Sequence, residues 1–320
     1  MRITDDAPPA PASTSPPLPT DAAPGLCVLA SSSAGNCTLL RWRGTTRWHA
    51  CLIDLGLSPR RTRAALATFG LTLADLDAVI LTHLDTDHCH GGWAGTNAAL
   101  FGKEDAPLPR SVHLLLAHSH MGRAARVMLN AGRFTPFKSH FQLPGPAAGA
   151  VDVRVHMNSH DELGTACFRF ALPEGELGFA TDVGHATDEL IAHLRGVDVL
   201  AIESNYCPRM QLASNRSDAL KDRIMGGGGH LSNQQAAAAV RAIEPRSHAV
   251  LLHLSRQCNT PELVAAEHEG ADYAVTIARH DGPTRWVRIG AGQAAPVPHV
   301  RAPVQVPRTA PADAAIGIYA

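Results

Sequence analysis

The amino-acid sequence predicts an α/β protein in which helices cover mixed β-sheets, and three observations support this fold class. Short apolar segments, typical of buried strands, alternate along the chain with segments that begin at helix-capping residues. Turn signals at residues 173–175 and 280–283 indicate β-hairpins beside these βα units. The chain has 320 residues and is 45% apolar, which is enough to bury the core that a layered fold needs.

The predicted strands are short, apolar and bounded by polar or turn residues. They cover residues 26–30, 38–43, 49–53, 78–81, 111–116, 151–156, 178–180, 197–202 and 249–252. A final pair, 273–278 and 285–289, is predicted to form a hairpin around the turn at 280–283. The segment 78–81 has no polar residue, which is typical of a strand buried on both faces.

Four predicted helices have clear start signals. Ser58 is the expected N-cap of the first, with Pro59 at the first helical position and Gly70 at its end. The other three are predicted at residues 187–195, 232–243 and 260–270, each starting at a Ser or Thr cap.

The composition predicts one domain between two tails. Residues 1–24 and 293–320 are rich in Pro and Ala and contain too little apolar surface to offset their chain entropy, so both are predicted to be disordered. Residues 25–292 show no break in composition and no internal repeat, which favours a single folded domain.

Charge, hydropathy and cysteine content exclude several classes of protein. The formal net charge of −1 argues against a generally basic protein that wraps nucleic acid. No apolar run approaches the length of a membrane span, and the acidic N-terminus does not resemble a secretory signal. Seven cysteines without a C-x-x-C pair argue against a disulfide framework and favour a cytoplasmic location. The oligomeric state stays open.

The strongest functional motif is a group of metal-binding side chains after the strand at 78–81. His83, Asp85, Asp87 and His88 fall within six residues, in a chain that contains 18 histidines. Active-site residues favour the loops beyond the carboxyl ends of such strands. Imidazole and carboxylate groups at alternating positions indicate a metal site, whereas a solvated polar loop would not require them.

Further candidate ligands occur at the ends of other predicted strands. Taken singly, each such residue is equally well explained as a capped strand end, but together they favour one shared site. His230 follows four glycines, which allow the backbone to approach a ligand closely. The other candidates are Asp54, His160, Asp182, Glu203 and His253.

The order of these residues resembles the ordered motifs of the metallo-β-lactamase superfamily. The second position of the loop motif departs from the commonest pattern, because Asp85 stands where His is usual. Residues 26–290 resemble the YycJ/WalJ-like branch most closely, through the stretches 30–36, 159–161, 180–182, 203–206, 229–233 and 253–255. The resemblance implies a four-layer αββα sandwich of two mixed sheets flanked by helices, and hydrolysis of the exonuclease or phosphodiesterase type.

The resemblance also implies two divalent metal ions, with zinc or manganese expected and iron as an alternative. One ion would be bound by His83, Asp85 and His160, and the other by Asp87, His88 and His253. Asp182 would bridge the two ions opposite a hydroxide that attacks the substrate, and Asp54 would orient the loop histidines. The hard carboxylate of Asp85 favours Mn²⁺ or Fe²⁺ at the first site. A single bound metal is the alternative.

Proton transfer and substrate binding are assigned to residues near this set. Glu203 and His230 are the expected proton donor pair, as in ribonuclease Z-like enzymes, and Asp87 is predicted to be catalytic as well as a ligand. Asn205 and Tyr206 are predicted to orient the substrate. Lys221 and Arg223 are predicted to hold phosphates, although a solvated helix face around residues 217–224 explains these cations slightly better.

Three functions remain open on these observations. The first is a dinuclear metallohydrolase acting on phosphodiesters, with nucleic acid as the expected substrate. The second is a hydrolase of small esters, lactones or thioesters on the same fold, because a fold does not fix its substrate. The third is a metal-dependent binding module without turnover, which the complete set of ligands and the proton donor pair argue against.

Overall fold

The computed structural model describes residues 23–94, 108–109, 111–127, 131–143, 150–160 and 162–290. Nearly all of both predicted tails lies outside these residues, so the tails and the domain boundaries remain predictions. All seven cysteines are described, and each is buried and free of disulfide bonds. Within the described ranges, no helix is long and apolar enough to cross a membrane. The cytoplasmic location remains a prediction.

Fourteen strands are formed by the described residues. In chain order they are β1 (Gly25–Ala30), β2 (Cys37–Arg43), β3 (Trp48–Ile53), β4 (Ala78–Leu81), β5 (His113–Ala117), β6 (Phe134–Phe137), β7 (His140–Leu143), β8 (Val151–Asn158), β9 (Thr165–Leu172), β10 (Gly175–Ala180), β11 (Val199–Glu203), β12 (His248–Leu252), β13 (Ala274–Ile277) and β14 (Val287–Arg288).

Eight α-helices connect or flank these strands in the same part of the chain. They are α1 (Pro59–Ala67), α2 (Gly91–Ala94), α3 (Met121–Val127), α4 (Asp188–Leu194), α5 (Pro208–Ala213), α6 (Asp218–Met225), α7 (Asn233–Ile243) and α8 (Pro261–Ala266). The predicted caps are confirmed at α1, α4, α7 and α8, where Ser58, Thr187, Ser232 and Thr260 each accept a backbone hydrogen bond.

The described strands form two sheets of seven, and both sheets are mixed. The first has the order β14-β1-β2-β3-β4-β5-β6, antiparallel from β14 to β3 and parallel from β3 to β6. The second has the order β13-β12-β11-β10-β9-β8-β7, parallel from β13 to β10 and antiparallel from β10 to β7. Each sheet therefore has a parallel half whose strands all end at the same edge.

Alternating side chains stack these sheets into four layers. In β1, Leu26 and Val28 face the core between the sheets, where they join Phe168 and Phe170 of β9. Cys27 and Leu29 face the opposite way and pack in the layer that contains α1, α2 and α3. The outer face of the second sheet packs in the same way against α4, α7 and α8. This arrangement confirms the predicted αββα sandwich of two mixed sheets.

The predicted C-terminal hairpin is wrong. β13 pairs with β12 in the second sheet, whereas β14 pairs with β1 in the first. The connecting segment crosses between the sheets: Arg279 O accepts a hydrogen bond from Ser31 N at 2.8 Å, and Thr284 N donates to Val28 O at 2.9 Å. Gly and Pro mark a reversal of the chain, but they do not determine which strand each flanking segment joins.

Candidate metal centre

The candidate ligands meet at one edge of the sandwich, beyond the carboxyl ends of strands from both sheets. Asp54 follows β3, the loop with His83 follows β4, Asp182 follows β10, and His253 follows β12. Glu203 is the last residue of β11. His160 lies between β8 and β9, and His230 follows the glycines after α6. The structure thus brings together all the predicted ligands with Asp54, Glu203 and His230.

Backbone conformation aims three of these side chains at a common point. Four non-glycine residues in the described part of the chain have positive φ, and Asp54, Asp182 and His253 are three of them, at 65°, 54° and 57°. Asp and His tolerate this left-handed region better than most residues do. Such conformations are concentrated at functional sites, where the surrounding structure maintains them. Each one here ends or follows a strand and turns its side chain toward the cluster.

The first ligand group consists of His83, Asp85 and His160, whose ligand atoms lie within 4.8 Å of one another. His83 Nδ1 lies 3.0 Å from Thr82 Oγ1, while its fully buried Nε2 has no hydrogen-bond partner. His160 Nδ1 donates to Gly229 O at 3.0 Å, so its Nε2 offers a lone pair to the group. A buried nitrogen without a partner is costly unless a ligand satisfies it, which fits a metal ion here.

The second ligand group consists of Asp87, His88 and His253, again within 4.8 Å. His88 Nδ1 lies 2.7 Å from Asp54 Oδ2, and Asp54 also accepts a hydrogen bond from Thr82 N at 2.8 Å. His253 Nε2 lies 3.2 Å from Asp87 Oδ2. Asp54 therefore orients His88, as a carboxylate commonly does behind a metal-binding imidazole.

Asp182 lies between the two groups. Its Oδ2 is 2.9 Å from His88 Nε2, and its Oδ1 is 3.7 Å from His160 Nε2. Thr181 Oγ1 donates to Oδ2 at 2.8 Å and fixes the carboxylate. Oδ1 also lies 3.7 Å from His253 Nδ1 of the second group. Asp182 thus lies close to histidines of both groups and is positioned to be shared by two ions.

The electrostatics of the cluster are those of closely packed opposite charges. Burial opposes ionisation of Asp182, but His253 and His88 hold the pKa of that carboxyl well below its usual value. Burial also opposes protonation of His253, yet Asp182, Asp87 and Glu203 raise its pKa to about 10. Protons on the histidines thus balance the negative charge of the carboxylates, and divalent cations would displace those protons on binding.

Glu203 and His230 form a pair beside the second group. Glu203 Oε1 accepts hydrogen bonds from Val183 N at 2.8 Å and Leu231 N at 2.9 Å. Its Oε2 lies 3.2 Å from His230 Nδ1 and 3.4 Å from His253 Nδ1. Burial opposes the charge on Glu203, but His230 lowers its pKa below the usual value. The carboxylate is therefore ionised and orients both imidazoles.

Two further groupings are compatible with these positions, and one of them, His83, His88 and Asp182, takes histidines from both ligand groups. Ligand atoms of Asp182, Glu203, His230 and His253 also lie within 4.8 Å of one another. His230 is thus placed either as a proton donor held by Glu203 or as an additional ligand. The imidazoles and carboxylates of the whole cluster form a donor set that suits divalent first-row ions such as Zn²⁺ and Mn²⁺.

The predicted substrate-binding residues have other contacts in the structure. Asn205 Nδ2 donates to His253 O at 2.8 Å and lies 3.2 Å from His253 Nδ1, so its amide contacts both the backbone and the ring of that histidine. Tyr206 is buried beside Ile224, and burial raises its pKa. Lys221 lies 3.9 Å from Asp218 on α6, and Arg223 is exposed on the same helix. Their roles toward substrate stay predictions.

Several supporting residues were not found from the sequence. Asn36 Nδ2 lies 3.0 Å from His88 Nε2 and donates to Asp87 O at 3.2 Å. Ser31 Oγ donates to Asn36 Oδ1 at 2.7 Å and accepts from His253 N at 2.8 Å. The loop after β1 thus joins both sides of the second group. Its signal was the stretch 30–36, which resembles the family but received no role.

A glycine allows this loop to pack against the metal-binding loop. Gly56 N donates to Asn36 O at 2.8 Å, and a Cβ at Gly56 would lie 1.7 Å from Asp87 O. Any side chain there would displace the backbone of Asp87. Gly56 therefore fixes the distance between β3 and the second ligand group.

Comparison with known proteins agrees with this geometry. A family model described as a β-lactamase superfamily domain matches residues 49–254, more than half of the chain. The curated protein exodeoxyribonuclease WalJ from Streptococcus pneumoniae is 29% identical over 240 residues, covering 74% of this chain and 83% of WalJ.

Two solved structures share the fold at low sequence identity. The metallo-β-lactamase fold protein YhfI from Bacillus subtilis has a TM-score of 0.58 and 15% identity, covering 81% of this chain and 99% of YhfI. Zn²⁺-bound PqqB from Methylobacterium extorquens has a TM-score of 0.56 and 15% identity, with the same coverage. The chain therefore belongs to the β-lactamase superfamily, as a metallo-β-lactamase-fold protein that resembles the WalJ/YycJ branch.

Proposed function

We propose that this chain is a metal-dependent hydrolase that cleaves phosphodiester bonds in DNA and uses two divalent ions. The observation that carries the proposal is the joint geometry of two ligand groups, a shared Asp182 and an adjacent Glu203–His230 pair. The exodeoxyribonuclease activity in the name of WalJ supports DNA as the substrate. The metal in PqqB supports zinc, and the carboxylates of the cluster make manganese the alternative.

The two ligand groups are assigned as the two metal sites, with Asp182 common to both. Ions held there would act as Lewis acids on the phosphoryl oxygens and would make water a stronger nucleophile near neutral pH. Asp54 faces His88 Nδ1 and Asn205 faces His253 Nδ1, so the chain itself orients both rings.

Protonation of the leaving group is assigned to His230. Its Nδ1 lies 3.2 Å from Glu203 Oε2, so Nδ1 can donate a hydrogen bond to the ionised Glu203, which orients the ring. A second proton on Nε2 is then available to the departing sugar oxygen, which is a poor leaving group without one. Val183 N and Leu231 N fix Glu203, so the orientation of the pair does not depend on the substrate.

The substrate class can be tested by assays on matched substrates. Protein depleted of metal by a chelator should release no nucleotides from end-labelled linear DNA, and added Zn²⁺ or Mn²⁺ should restore release. Closed circular DNA is the control for an exonuclease, because it offers no end. The apparent KM for DNA should rise steeply with salt, since phosphate contacts release counterions.

The same experiment distinguishes the alternative substrates. A small neutral ester, lactone or thioester should be hydrolysed poorly, and its KM should hardly respond to salt. Rapid metal-dependent hydrolysis of such a compound, with linear DNA untouched, would contradict the proposal and favour a small-molecule hydrolase. Stoichiometric metal binding without turnover of either substrate class would favour the binding module.

A further inference from the structure

The two carboxylate oxygens of Asp85 face different partners. Oδ1 accepts a hydrogen bond from Arg123 Nη2 at 2.9 Å, whereas Oδ2 lies 3.9 Å from His83 Nε2, on the side of the first ligand group. A carboxylate can bind a cation through one oxygen or through both. An oxygen already bonded to a guanidinium is a weaker second ligand, so this arrangement favours binding through Oδ2 alone.

The position of Arg123 is tied to the rest of the first group. It lies in α3, directly after a 3₁₀ turn over His118–His120. The Nε2 atom of the buried His120 lies 2.8 Å from Gly164 O, in the same loop that carries His160. Arg123 and His160 are therefore held by connected parts of the structure, and the Arg123–Asp85 pair is not an isolated contact between surface side chains.

The Arg123–Asp85 pair changes the net charge of the cluster. The two ligand groups and Asp182 include three carboxylates, because Asp85 stands where the commonest pattern has a neutral His. The extra negative charge lowers the attraction of the centre for an anionic phosphodiester. Arg123 restores one positive charge next to the carboxylate that introduced the negative one.

We propose that Arg123 is a positioning residue that restricts Asp85 to one ligand oxygen and thereby sets the metal preference of the first group. The inference rests on the proposed metal sites. Zinc favours four-coordinate sites, whereas manganese accepts additional oxygen ligands. With Arg123 in place, Asp85 contributes one oxygen, which weakens the preference for manganese that its hard carboxylate introduces. Without Arg123, both oxygens can bind and the balance moves further toward manganese.

The test is a competition titration of Zn²⁺ and Mn²⁺ against a chromogenic chelator, which needs no activity measurement. Arg123→Gln should move the ratio of Zn²⁺ to Mn²⁺ affinity by about tenfold toward Mn²⁺, the usual scale for a residue behind a ligand. Arg126→Gln is the matched control, because Arg126 is an exposed arginine on the same helix. Arg123→Lys keeps a charge and a donor, and it should retain most of the wild-type ratio.

The same substitution made in the Asp85→His variant distinguishes an effect of Arg123 through Asp85 from a general effect of losing the arginine. In Asp85→His protein, Arg123→Gln should leave the metal ratio unchanged, because the carboxylate through which Arg123 acts is gone. An unchanged ratio in the single variant, or an equal shift in both backgrounds, would overturn the inference. Wild-type protein that binds neither metal would instead overturn the proposed function on which the inference rests.

Discussion

The two ligand groups differ in how firmly the protein holds them. In the second group, His88 and His253 have side chains only 0% and 2% exposed, and Asp54 and Asn205 contact them from behind. In the first group, Asp85 is 31% exposed, and its partner Arg123 is exposed to the same extent. His83 and His160 of the first group are also buried, and Asp87 of the second group is 22% exposed, so both groups combine buried histidines with a partly exposed carboxylate. The groups differ mainly in the charge behind the histidines, because the carboxylate of Asp54 lies behind His88, whereas the Thr82 hydroxyl and the Gly229 carbonyl lie behind His83 and His160.

This difference predicts that the two groups bind metal with different affinities. A carboxylate behind an imidazole makes it a stronger ligand, so the second group should bind metal more tightly. The first group, whose histidines have neutral partners and whose carboxylate is the more exposed, should exchange metal more readily. The three predictions that follow test this comparison, beginning with the change that affects both groups.

Asp182→Ala should remove metal from both groups, because the carboxylate lies close to His88 of the second group and to His160 of the first. Metal content measured by elemental analysis should fall from two ions per chain to well under one. Asp188→Ala, at an exposed position on α4, is the control for the loss of a surface carboxylate. Full stoichiometry in Asp182→Ala would mean that the two groups are independent.

His230→Ala should keep both ions and slow turnover of DNA by about 10²- to 10⁴-fold, the usual contribution of a general acid. The loss should be smaller for a nitrophenyl phosphodiester, whose leaving group needs no proton. Glu203→Gln should behave similarly, and the double variant should be little slower than either single one, since the residues act as a unit.

The His230 variant also decides which residues bind metal. Loss of one ion in His230→Ala would place His230 among the ligands with Asp182, Glu203 and His253. Equal slowing of both substrates with metal retained would indicate that His230 holds the substrate and does not donate a proton.

Asp54→Asn should weaken metal binding by the second group by about 10- to 100-fold and affect the first group less. The variant keeps the size of the side chain but removes the charge that faces His88 Nδ1. Asp77→Asn is the matched control, because Asp77 is also a buried carboxylate but pairs with Arg47 and the backbone of Ala50. Equal weakening of both groups would contradict the separate role of Asp54.

Much of the fold was predictable because it depends on local signals. Capping residues and apolar segments located α1, α4, α7 and α8 and most of the strands of both parallel halves. β6, β7 and β9 were not predicted, although β7 and β9 pair with strands next to them in the chain. The terminal hairpin was wrong because the sheet that each of its strands joins depends on contacts distant in sequence. β14 pairs with β1 from the other end of the domain, which no local pattern encodes.

The candidate site divides in the same way. Residues at strand ends could be grouped from the sequence, because parallel strands carry their carboxyl ends to one edge. Asn36 and Arg123 could not be assigned to the site from the sequence. Asn36 is 52 residues from its partner His88, and Arg123 is 38 residues from its partner Asp85. Asn36 lies in the family-like stretch 30–36, but nothing in that stretch specifies its partner, and Arg123 lies in no motif, so only the folded backbone shows that both reach the cluster.

A stepwise metal titration tests most directly whether two unequal ligand groups share Asp182. Chelator-treated protein titrated with Zn²⁺ should bind two ions per chain in two resolved steps. Asp54→Asn should weaken the tighter step, and Asp85→Ala should weaken the other. Binding of a single ion, or two steps that respond equally to both substitutions, would contradict the account.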